Sequence, residues 1–269
     1  MRIASWNINS VRTRVGRAVD LLAKHDIDVL CLQETKVSDE KFPRAPFEEA
    51  GYHVTSHGLN QWNGVAIVSK DEPDEVQTFF PGQPGFHKDP AQEQKREARA
   101  VSARIRGIEV WSLYIPNGRE ITDPHYDYKL QFLYALARYV ETRAQSKLLL
   151  TGDFNIAPRD EDVWDMSLFR GKTHVTEPER AAFQMLEEAG LEEVTRRFTE
   201  KERWTYFDYK SLRFQKNEGM RIDFQLATAP LAELVKGAQV DLVERAGDKT
   251  SDHVPLIADF DVPDFDSVR

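Results

Sequence analysis

The segment L-L-L-T-G-D-F-N (Leu148–Asn155) is an apolar run that ends in two polar side chains, Asp153 and Asn155. A short apolar run bounded by turn residues is typical of a buried β-strand. Asp and Asn residues in turns usually cap their own backbone. Side by side at a strand end, however, the carboxylate can handle a proton while the amide donates a hydrogen bond to an oxyanion. The segment is therefore a candidate catalytic position, although on its own it could simply end a strand.

Five further segments also place polar residues where an apolar run begins or ends. They are R-I-A-S-W-N-I-N (Arg2–Asn9), L-C-L-Q-E-T-K (Leu30–Lys36), W-S-L-Y-I-P-N-G (Trp111–Gly118), G-M-R-I-D-F (Gly219–Phe224) and S-D-H-V-P-L (Ser251–Leu256). Together with the first segment they supply the candidates Asn7, Asn9, Glu34, Tyr114, Asp153, Asn155, Asp223, Asp252 and His253. Any one of these residues could simply cap a strand, but the whole set favours a shared site.

The positions of these residues within their runs predict how the strands are arranged. In the first four segments along the chain a polar residue lies near the C-terminal end, whereas Asp223 and His253 lie near the start of their runs. If the later strands run antiparallel to the earlier ones, all these side chains meet along one edge. The predicted strands are Ile3–Ile8, Val29–Leu32, Val54–His57, Gly64–Ser69, Val101–Ile105, Val110–Ile115, Leu148–Thr151, Ile222–Ala227 and Val254–Phe260. One α+β domain over residues 1–269, with two packed sheets, is the simplest architecture.

Three segments have the spacing of amphipathic helices. The first precedes His25 and the second spans Tyr126–Arg143, each with apolar residues on one face. In the third, Thr176 and Glu179 form a possible capping box. Its predicted buried face consists of Ala182, Met185, Leu186 and Ala189.

The candidate residues suit the metal-assisted hydrolysis of a phosphate ester. Glu34, with Asn7 nearby, could hold Mg²⁺ or Mn²⁺, which prefer oxygen ligands. A histidine in acid–base or electrostatic work needs a carboxylate on its second ring nitrogen, and Asp223 could serve His253 in this way. Asp252 is adjacent to His253 in sequence, so it is better placed to act through water or a metal.

Other chemistries and locations fit poorly. The sequence contains no G-x-x-x-x-G-K-[ST], H-E-x-x-H or G-x-S-x-G motif. No stretch approaches the ~18 apolar residues of a membrane span, and the N-terminus does not resemble a signal peptide. The single cysteine, Cys31, excludes an intramolecular disulfide and is expected to be buried. We therefore expect a cytoplasmic protein.

The charge distribution bears on whether the protein binds nucleic acid. A formal net charge of −9 argues against nucleic acid. From Thr195 to Arg221, however, eight basic and four acidic residues give a local charge of +4, and aromatic residues are interleaved with them. A DNA-contact surface and a solvated loop over aromatic core residues both explain this pattern.

As a set, these motifs resemble the exonuclease III family of abasic-site endonucleases, within the wider endonuclease/exonuclease/phosphatase superfamily. The resemblance runs from W-N-I-N at Trp6 to S-D-H-V-P at Ser251. The motifs more specific to the DNA-repair branch are L-Q-E-T-K (Leu32–Lys36), Y-I-P-N-G (Tyr114–Gly118) and G-M-R-I-D (Gly219–Asp223). The resemblance implies a DNase I-like α/β fold, a four-layer sandwich of two packed mixed β-sheets flanked by helices.

The resemblance also implies roles for individual residues. Asp153 would activate the attacking water or protonate the leaving oxygen, and His253, oriented by Asp223, would bind the phosphate. The implied catalytic residues are Asp153, Asn155, His253, Asp223 and Tyr114. The implied metal-site residues are Glu34, Asn7, Asp252, Asp153 and Asn155. The implied substrate contacts are Asn9, Asn117, Arg119, Trp62, Asn63, Trp204, Tyr206, Met220, Arg221 and Ile222.

The implied reaction is a metal-dependent hydrolysis of duplex DNA on the 5′ side of an abasic site, which leaves a 3′-hydroxyl. The same site would remove 3′-blocking groups or trim 3′ ends, and a monomer is expected. The affinity for DNA should fall as the salt concentration rises if the basic segment contacts the phosphate backbone of DNA. The alternatives are a phosphoesterase acting on a phosphoinositide or phospholipid and a catalytically inactive binding module. The second is disfavoured because every presumed catalytic position is filled.

Overall fold

A computed structural model describes residues 1–263, so the last six residues of the predicted domain lie outside the described part. The strands form two six-stranded sheets. In spatial order the first sheet contains β11 (Val235–Val240), β12 (Leu256–Phe260), β1 (Arg2–Asn7), β2 (Val29–Gln33), β4 (Val65–Ser69) and β3 (His53–His57). The second contains β5 (Asp74–Gln77), β6 (Ala100–Ile105), β7 (Ile108–Tyr114), β8 (Leu148–Asp153), β10 (Asp223–Thr228) and β9 (Leu191–Glu193).

Helices cover the outer faces of both sheets, which confirms the four-layer sandwich. The helices are α1 (Val11–His25), α2 (Ala45–Glu49), α3 (Pro124–Glu141), α4 (Met166–Phe169), α5 (Glu177–Glu188) and α6 (Ala229–Ala232). Helices α1 and α2 pack on the first sheet, and α3 and α5 pack on the second. Within residues 1–263, none of these helices is both long enough and apolar enough to cross a bilayer.

The core has three layers, one between the sheets and one under each pair of helices. Between the sheets, Val29 and Cys31 of the first sheet pack with Val110 and Leu149 of the second, so Cys31 is buried as predicted. Because the central strands are covered on both faces, their sequences read as continuous apolar runs.

Strand directions bring the candidate residues to one edge, as their positions in the sequence predicted. Strands β1 and β2 are parallel, as are β7 and β8, whereas β12 and β10 run antiparallel to β1 and β8. In the second sheet Asp153 lies opposite both Tyr114 and Asp223. In the first sheet Asn7 lies opposite Gln33, the residue before Glu34.

All nine predicted strands are present, with ends shifted by one or two residues. Sequence reasoning missed β5, β9 and β11, which are short or partly exposed edge elements with little apolar signal. Helix α5 begins with the predicted capping box of Thr176 and Glu179. Its buried face was partly wrong, because Met185 is 39% exposed and Phe183 fills the core instead.

Gly152, immediately before Asp153, occupies a position that a larger residue does not fit. Its φ is 148°, and a Cβ there would lie 1.9 Å from the carbonyl oxygen of Leu113 on β7. We expect Gly152→Ala to lower the free energy of unfolding by about 2–4 kcal/mol, because β7 and β8 must separate locally. Urea denaturation measures this change.

Gly16→Ala in helix α1 is the matched control. No atom lies within 4 Å of the added Cβ. Alanine is the better helix former, so stability should be unchanged or higher by up to about 1 kcal/mol. Equal stabilities of the two variants would contradict the close approach at Gly152.

Candidate active site

Glu34, Asp153 and His253 form the centre of the site, with one ligand atom from each lying within 4.8 Å of the others. The Nδ1 atom of His253 lies 2.8 Å from Oδ2 of Asp223, and its Nε2 atom lies 3.7 Å from Oδ2 of Asp153. A carboxylate at one ring nitrogen fixes the tautomer and orientation of the other. The imidazole is therefore held with Nε2 directed at Asp153.

Asn7 joins the two carboxylates at this centre. Its amide nitrogen donates to Oε1 of Glu34 (2.8 Å) and to Oδ2 of Asp153 (3.0 Å), and its carbonyl oxygen accepts from the backbone of Asn9. Asn7 thus orients the carboxylates of Glu34 and Asp153 through its NH₂ group. Sequence reasoning gave no role to Lys36, yet its Nζ lies 2.8 Å from Oε2 of Glu34 and 2.6 Å from Oδ1 of Asn9.

Burial and neighbouring charges set the protonation of the central groups. Burial raises the pKa of Asp153 to about 7; the charges of Asp223 and Glu34 add to the increase and that of His253 opposes it. Burial opposes the charging of His253, but the charges of Asp223 and Asp153 outweigh it and raise the pKa to about 10. Burial would also raise the pKa of Glu34, but the charge of Lys36 and hydrogen bonds keep it below its usual value. At neutral pH a cationic imidazole therefore faces a carboxyl group suited to acid–base work.

Tyr114 borders Glu34 at the end of β7. Burial, with the charge of Glu34, raises the pKa of Tyr114 well above its usual value, so the hydroxyl remains protonated. The guanidinium of Arg99 lies 4.8 Å from the centre of the tyrosine ring. A fixed neutral hydroxyl can donate a hydrogen bond to a phosphate oxygen.

Asn155, Asn117 and His174 form a second corner of the site. Nδ2 of Asn155 donates to Oδ2 of Asp153 (3.1 Å), and its Oδ1 accepts from Nδ2 of Asn117 (2.9 Å). Nε2 of His174 lies 3.2 Å from the same oxygen, and burial lowers the pKa of His174 to about 3, so the ring is neutral. Asn155 thus supports Asp153 through its NH₂ group, while its oxygen faces Asn117.

Several site residues have left-handed backbone conformations. The φ angles are 44° at Asn9, 51° at Glu34, 52° at Asn155 and 85° at His174. Such angles are uncommon for residues with a side chain, and they concentrate at functional sites. Here they occur mostly just after β1, β2 and β8, where the chain leaves the sheets.

The site opens into a cleft of about 900 Å³, of which one part is polar and the other apolar. Glu34, Asp153, Asn155, Asp252 and His253 line the polar part. Trp164, Leu168, Phe169, Tyr206, Met220 and Ile222 line the apolar part. Tyr206, Met220 and Ile222 were predicted, whereas Trp164, Leu168 and Phe169 were missed because the segment around α4 has no periodic signal. An apolar cleft with a few convergent polar groups is typical of a ligand site.

Trp204 and Arg221, two of the predicted substrate contacts, line a different cavity from the cleft. Trp204 is 4% exposed and packs on Gly219, where an added Cβ would be 2.5 Å from the indole side chain. It lines a separate cavity of about 500 Å³ together with Arg221. The Arg221 guanidinium donates to the hydroxyls of Thr199 and the buried Thr195. Because side chains alternate along extended backbone, Arg221 lies on the face opposite Met220 and Ile222.

The remaining substrate candidates differ in exposure. Trp62 is 73% exposed, but Asn63 is 1% exposed and is not available for a DNA contact in this structure. Arg119 and Asn117 line the cleft, as predicted. Asn9 donates to Oδ1 of Asp252 (3.0 Å), which places both residues beside the centre.

The basic segment from Thr195 to Arg221 is largely neutralised by local ion pairs. Five of its eight basic side chains pair with carboxylates. The pairs are Arg196 with Asp162, Arg197 with Glu192, Arg203 with Glu200, Arg213 with Glu218 and Arg221 with Glu193. The local charge of +4 therefore overstates the positive potential that this surface offers.

The side chains around Glu34 are suited to hold a divalent cation. The carboxylate oxygens of Glu34 and Asp153 are hard ligands of the kind that Mg²⁺ and Mn²⁺ prefer. A cation bound to Glu34 would replace the Lys36 ammonium, which pairs with this carboxylate and with Asn9.

Comparisons with known proteins identify relatives over nearly the whole chain. Residues 4–253 match the model of the Endonuclease/Exonuclease/phosphatase family. Exodeoxyribonuclease III of Haemophilus influenzae is 34% identical, over 97% of this chain and 100% of that protein. The 3′ phosphatase NExo from Neisseria, solved with a product DNA hairpin, is 36% identical with a TM-score of 0.88 over 97% of this chain and 99% of that one. An AP endonuclease from Archaeoglobus fulgidus is 35% identical with a TM-score of 0.87, over 97% and 100%.

The fold and the site define a phosphoesterase, and the chain belongs to the endonuclease/exonuclease/phosphatase family. Within the family, the chain is a DNA-repair nuclease of the exonuclease III group.

Asp223→Asn tests the electrostatic coupling at His253. Removing the Asp223 charge should lower the pKa of His253 from about 10, because Asp223 provides the largest contribution that raises it. Titration of ¹⁵N-labelled imidazole by NMR measures the shift. An unchanged pKa would show that the two side chains are not paired in solution.

Proposed function

We propose that this chain is a Mg²⁺- or Mn²⁺-dependent phosphodiesterase that cuts duplex DNA 5′ to abasic sites, leaves a 3′-hydroxyl, and also removes blocking groups and nucleotides from 3′ ends. The proposal rests on one observation. The buried side chains of Asp223, His253 and Asp153 lie in contact with one another beside a cleft that is partly apolar. The catalytic unit is proposed to be one domain over residues 1–269.

The protonation state of each residue determines its proposed role in hydrolysis. Asp153 accepts a proton from the attacking water as the water oxygen bonds to phosphorus. The bond from phosphorus to the 3′-oxygen breaks on the opposite side, where solvent supplies the proton for the leaving oxygen. The cationic His253, held by Asp223, stabilises the negative charge on the phosphate oxygens. Tyr114 and Asn117 donate hydrogen bonds to the same oxygens. A bound cation would polarise the water and neutralise the phosphate, and Glu34 and Asp153 would hold it with Asp252 close by.

The apolar part of the cleft supports a nucleic-acid substrate. Tyr206, Met220 and Ile222 border the catalytic centre, with Leu168 and Ile121 exposed at the rim. A base-free sugar or a terminal nucleotide bound with its phosphate at the catalytic centre would lie against these apolar side chains. The relatives named for a 3′ phosphatase, an exodeoxyribonuclease and an AP endonuclease support the same assignment. We therefore favour DNA over a phosphoinositide or phospholipid.

The finer properties of the proposed enzyme stay predictions. A DNA substrate agrees with the expected cytoplasmic location. A monomer suffices, because the described residues that form the centre all come from one chain.

Two end-labelled duplexes test the function, one with a single tetrahydrofuran abasic analogue and one intact. In Mg²⁺ we expect a cut 5′ to the analogue and shortening from the 3′ end, and in EDTA neither product on a denaturing gel. Asp153→Asn should lower both rates by at least about 100-fold, because it removes the group that moves the proton. The exposed Asp160→Asn is the charge-matched control, since its partner Arg180 lies outside the cleft. Intact duplexes after incubation with wild-type protein would instead favour a phosphoesterase with another substrate.

Glu34→Gln tests the metal site. The Mg²⁺ concentration for half-maximal activity should rise by about 10- to 100-fold, because a charged ligand is lost. His253→Ala should instead lower turnover at saturating Mg²⁺. The exposed Glu40→Gln serves as the control for Glu34→Gln. If Glu34→Gln kept the wild-type dependence on Mg²⁺, Glu34 would not be the principal ligand.

A further inference from the structure

Lys129 of helix α3 and Glu179 of helix α5 form an ion pair that is completely buried. Nζ of Lys129 lies 2.5 Å from Oε1 of Glu179, and both side chains have no exposed surface. Neither residue lines the cleft. A buried ion pair stabilises a fold little more than a well-packed apolar pair does, and often less. The other contacts of Lys129 and Glu179 indicate the role of this pair.

The Lys129 ammonium also binds two backbone carbonyl groups. Nζ donates to the carbonyl oxygen of Asn155 at 2.6 Å and approaches that of Asn117 at 3.4 Å. With Glu179, these contacts occupy all three N–H donors of an ammonium group. Lys129 therefore connects the turn after β8 to the loop after β7.

The Glu179 carboxylate accepts hydrogen bonds from a third segment, residues 173–176. Its Oε1 atom accepts from the hydroxyl of Thr173 (2.7 Å) and the backbone N–H of His174 (2.8 Å). Its Oε2 atom accepts from the backbone N–H and the hydroxyl of Thr176 at 3.1 and 2.7 Å, as part of the capping box of α5. Every one of these partners is a donor, which requires an ionised carboxylate.

The three segments joined by this pair carry the side chains of the second corner. Nδ2 of Asn117 donates to Oδ1 of Asn155 at 2.9 Å, and Nε2 of His174 lies 3.2 Å from the same oxygen. Nδ2 of Asn155 in turn donates to Oδ2 of Asp153 at 3.1 Å. The backbone of each of these three cleft residues, Asn117, Asn155 and His174, is held by Lys129 or Glu179.

We propose that the Lys129–Glu179 pair is a positioning device that sets Asn117, Asn155 and His174 against Asp153 and the scissile phosphate, without touching the substrate. The proposal rests on the proposed function. It separates two tasks within one site: Glu34 and its neighbours bind the cation, whereas Lys129 and Glu179 fix the groups that contact the phosphate. Loss of the pair should therefore lower kcat and leave the dependence on Mg²⁺ unchanged.

Lys129→Met and the double variant Lys129→Met/Glu179→Gln provide the test. The single variant leaves Glu179 charged and unpaired in the interior, so its Tm should fall. The double variant removes that charge and should recover part of the Tm. Both should keep kcat about 10- to 100-fold below wild type at a temperature where they are folded, because misplacement of about 1 Å at reacting groups has this effect. KM and the half-maximal Mg²⁺ concentration should change far less.

Two further variants make the result decisive. Thr173→Val removes one hydroxyl from the network and no charge, so it should fold and lower kcat by about fivefold. Leu22→Ala destabilises the core on the opposite side of the molecule and should keep the wild-type kcat while folded. Wild-type kcat in Thr173→Val, or in either folded Lys129 variant, would overturn the positioning role. An inactive wild-type protein would instead overturn the proposed function.

Discussion

Strand β8 is paired on one side with parallel β7 and on the other with antiparallel β10, and the geometry of the site depends on this pairing. Parallel pairing aligns the C-terminal ends of β7 and β8, and antiparallel pairing brings the start of β10 to the same edge. Tyr114, Asp153 and Asp223 consequently stand in one row. The first sheet supplies Asn7 and Glu34 from the aligned ends of β1 and β2. The catalytic residues are thus placed by backbone hydrogen bonds of the core and not by mobile loops.

Close packing of like charges governs the electrostatics of this edge. Glu34, Asp153 and Asp223 are brought within a few ångströms of His253, and the interior does not screen them as water would. The protein balances them with the imidazolium of His253 and the ammonium of Lys36. A carboxylate-rich edge repels a phosphate unless further positive charge is present. The same excess of negative charge that disfavours the bare substrate favours a divalent cation.

The sequence supported the fold and the centre of the site because both have local signatures. Apolar runs mark the strands, and the polar residues at their ends indicate which strand ends meet at the shared edge. The pairing of Asp223 with His253 was therefore foreseeable. Trp204 and Arg221 were misplaced because a turn-rich segment does not reveal which face each side chain occupies. His174 and Trp164 were missed because they lie in irregular stretches without periodicity. Lys129 was unremarkable in sequence, since a lysine within an amphipathic helix is usually solvated and only the tertiary structure shows its burial.

The left-handed backbone at Asn9, Glu34, Asn155 and His174 has a consequence for engineering. Each of these residues holds a conformation that glycine adopts at little cost. Their side chains, which glycine lacks, are the ones that the site uses. A glycine at one of these positions would relieve the backbone and at the same time remove the side chain and its hydrogen bonds, so conformational ease is traded for catalysis. A more heat-resistant form of this nuclease is better sought in the exposed edge strands, away from the catalytic edge.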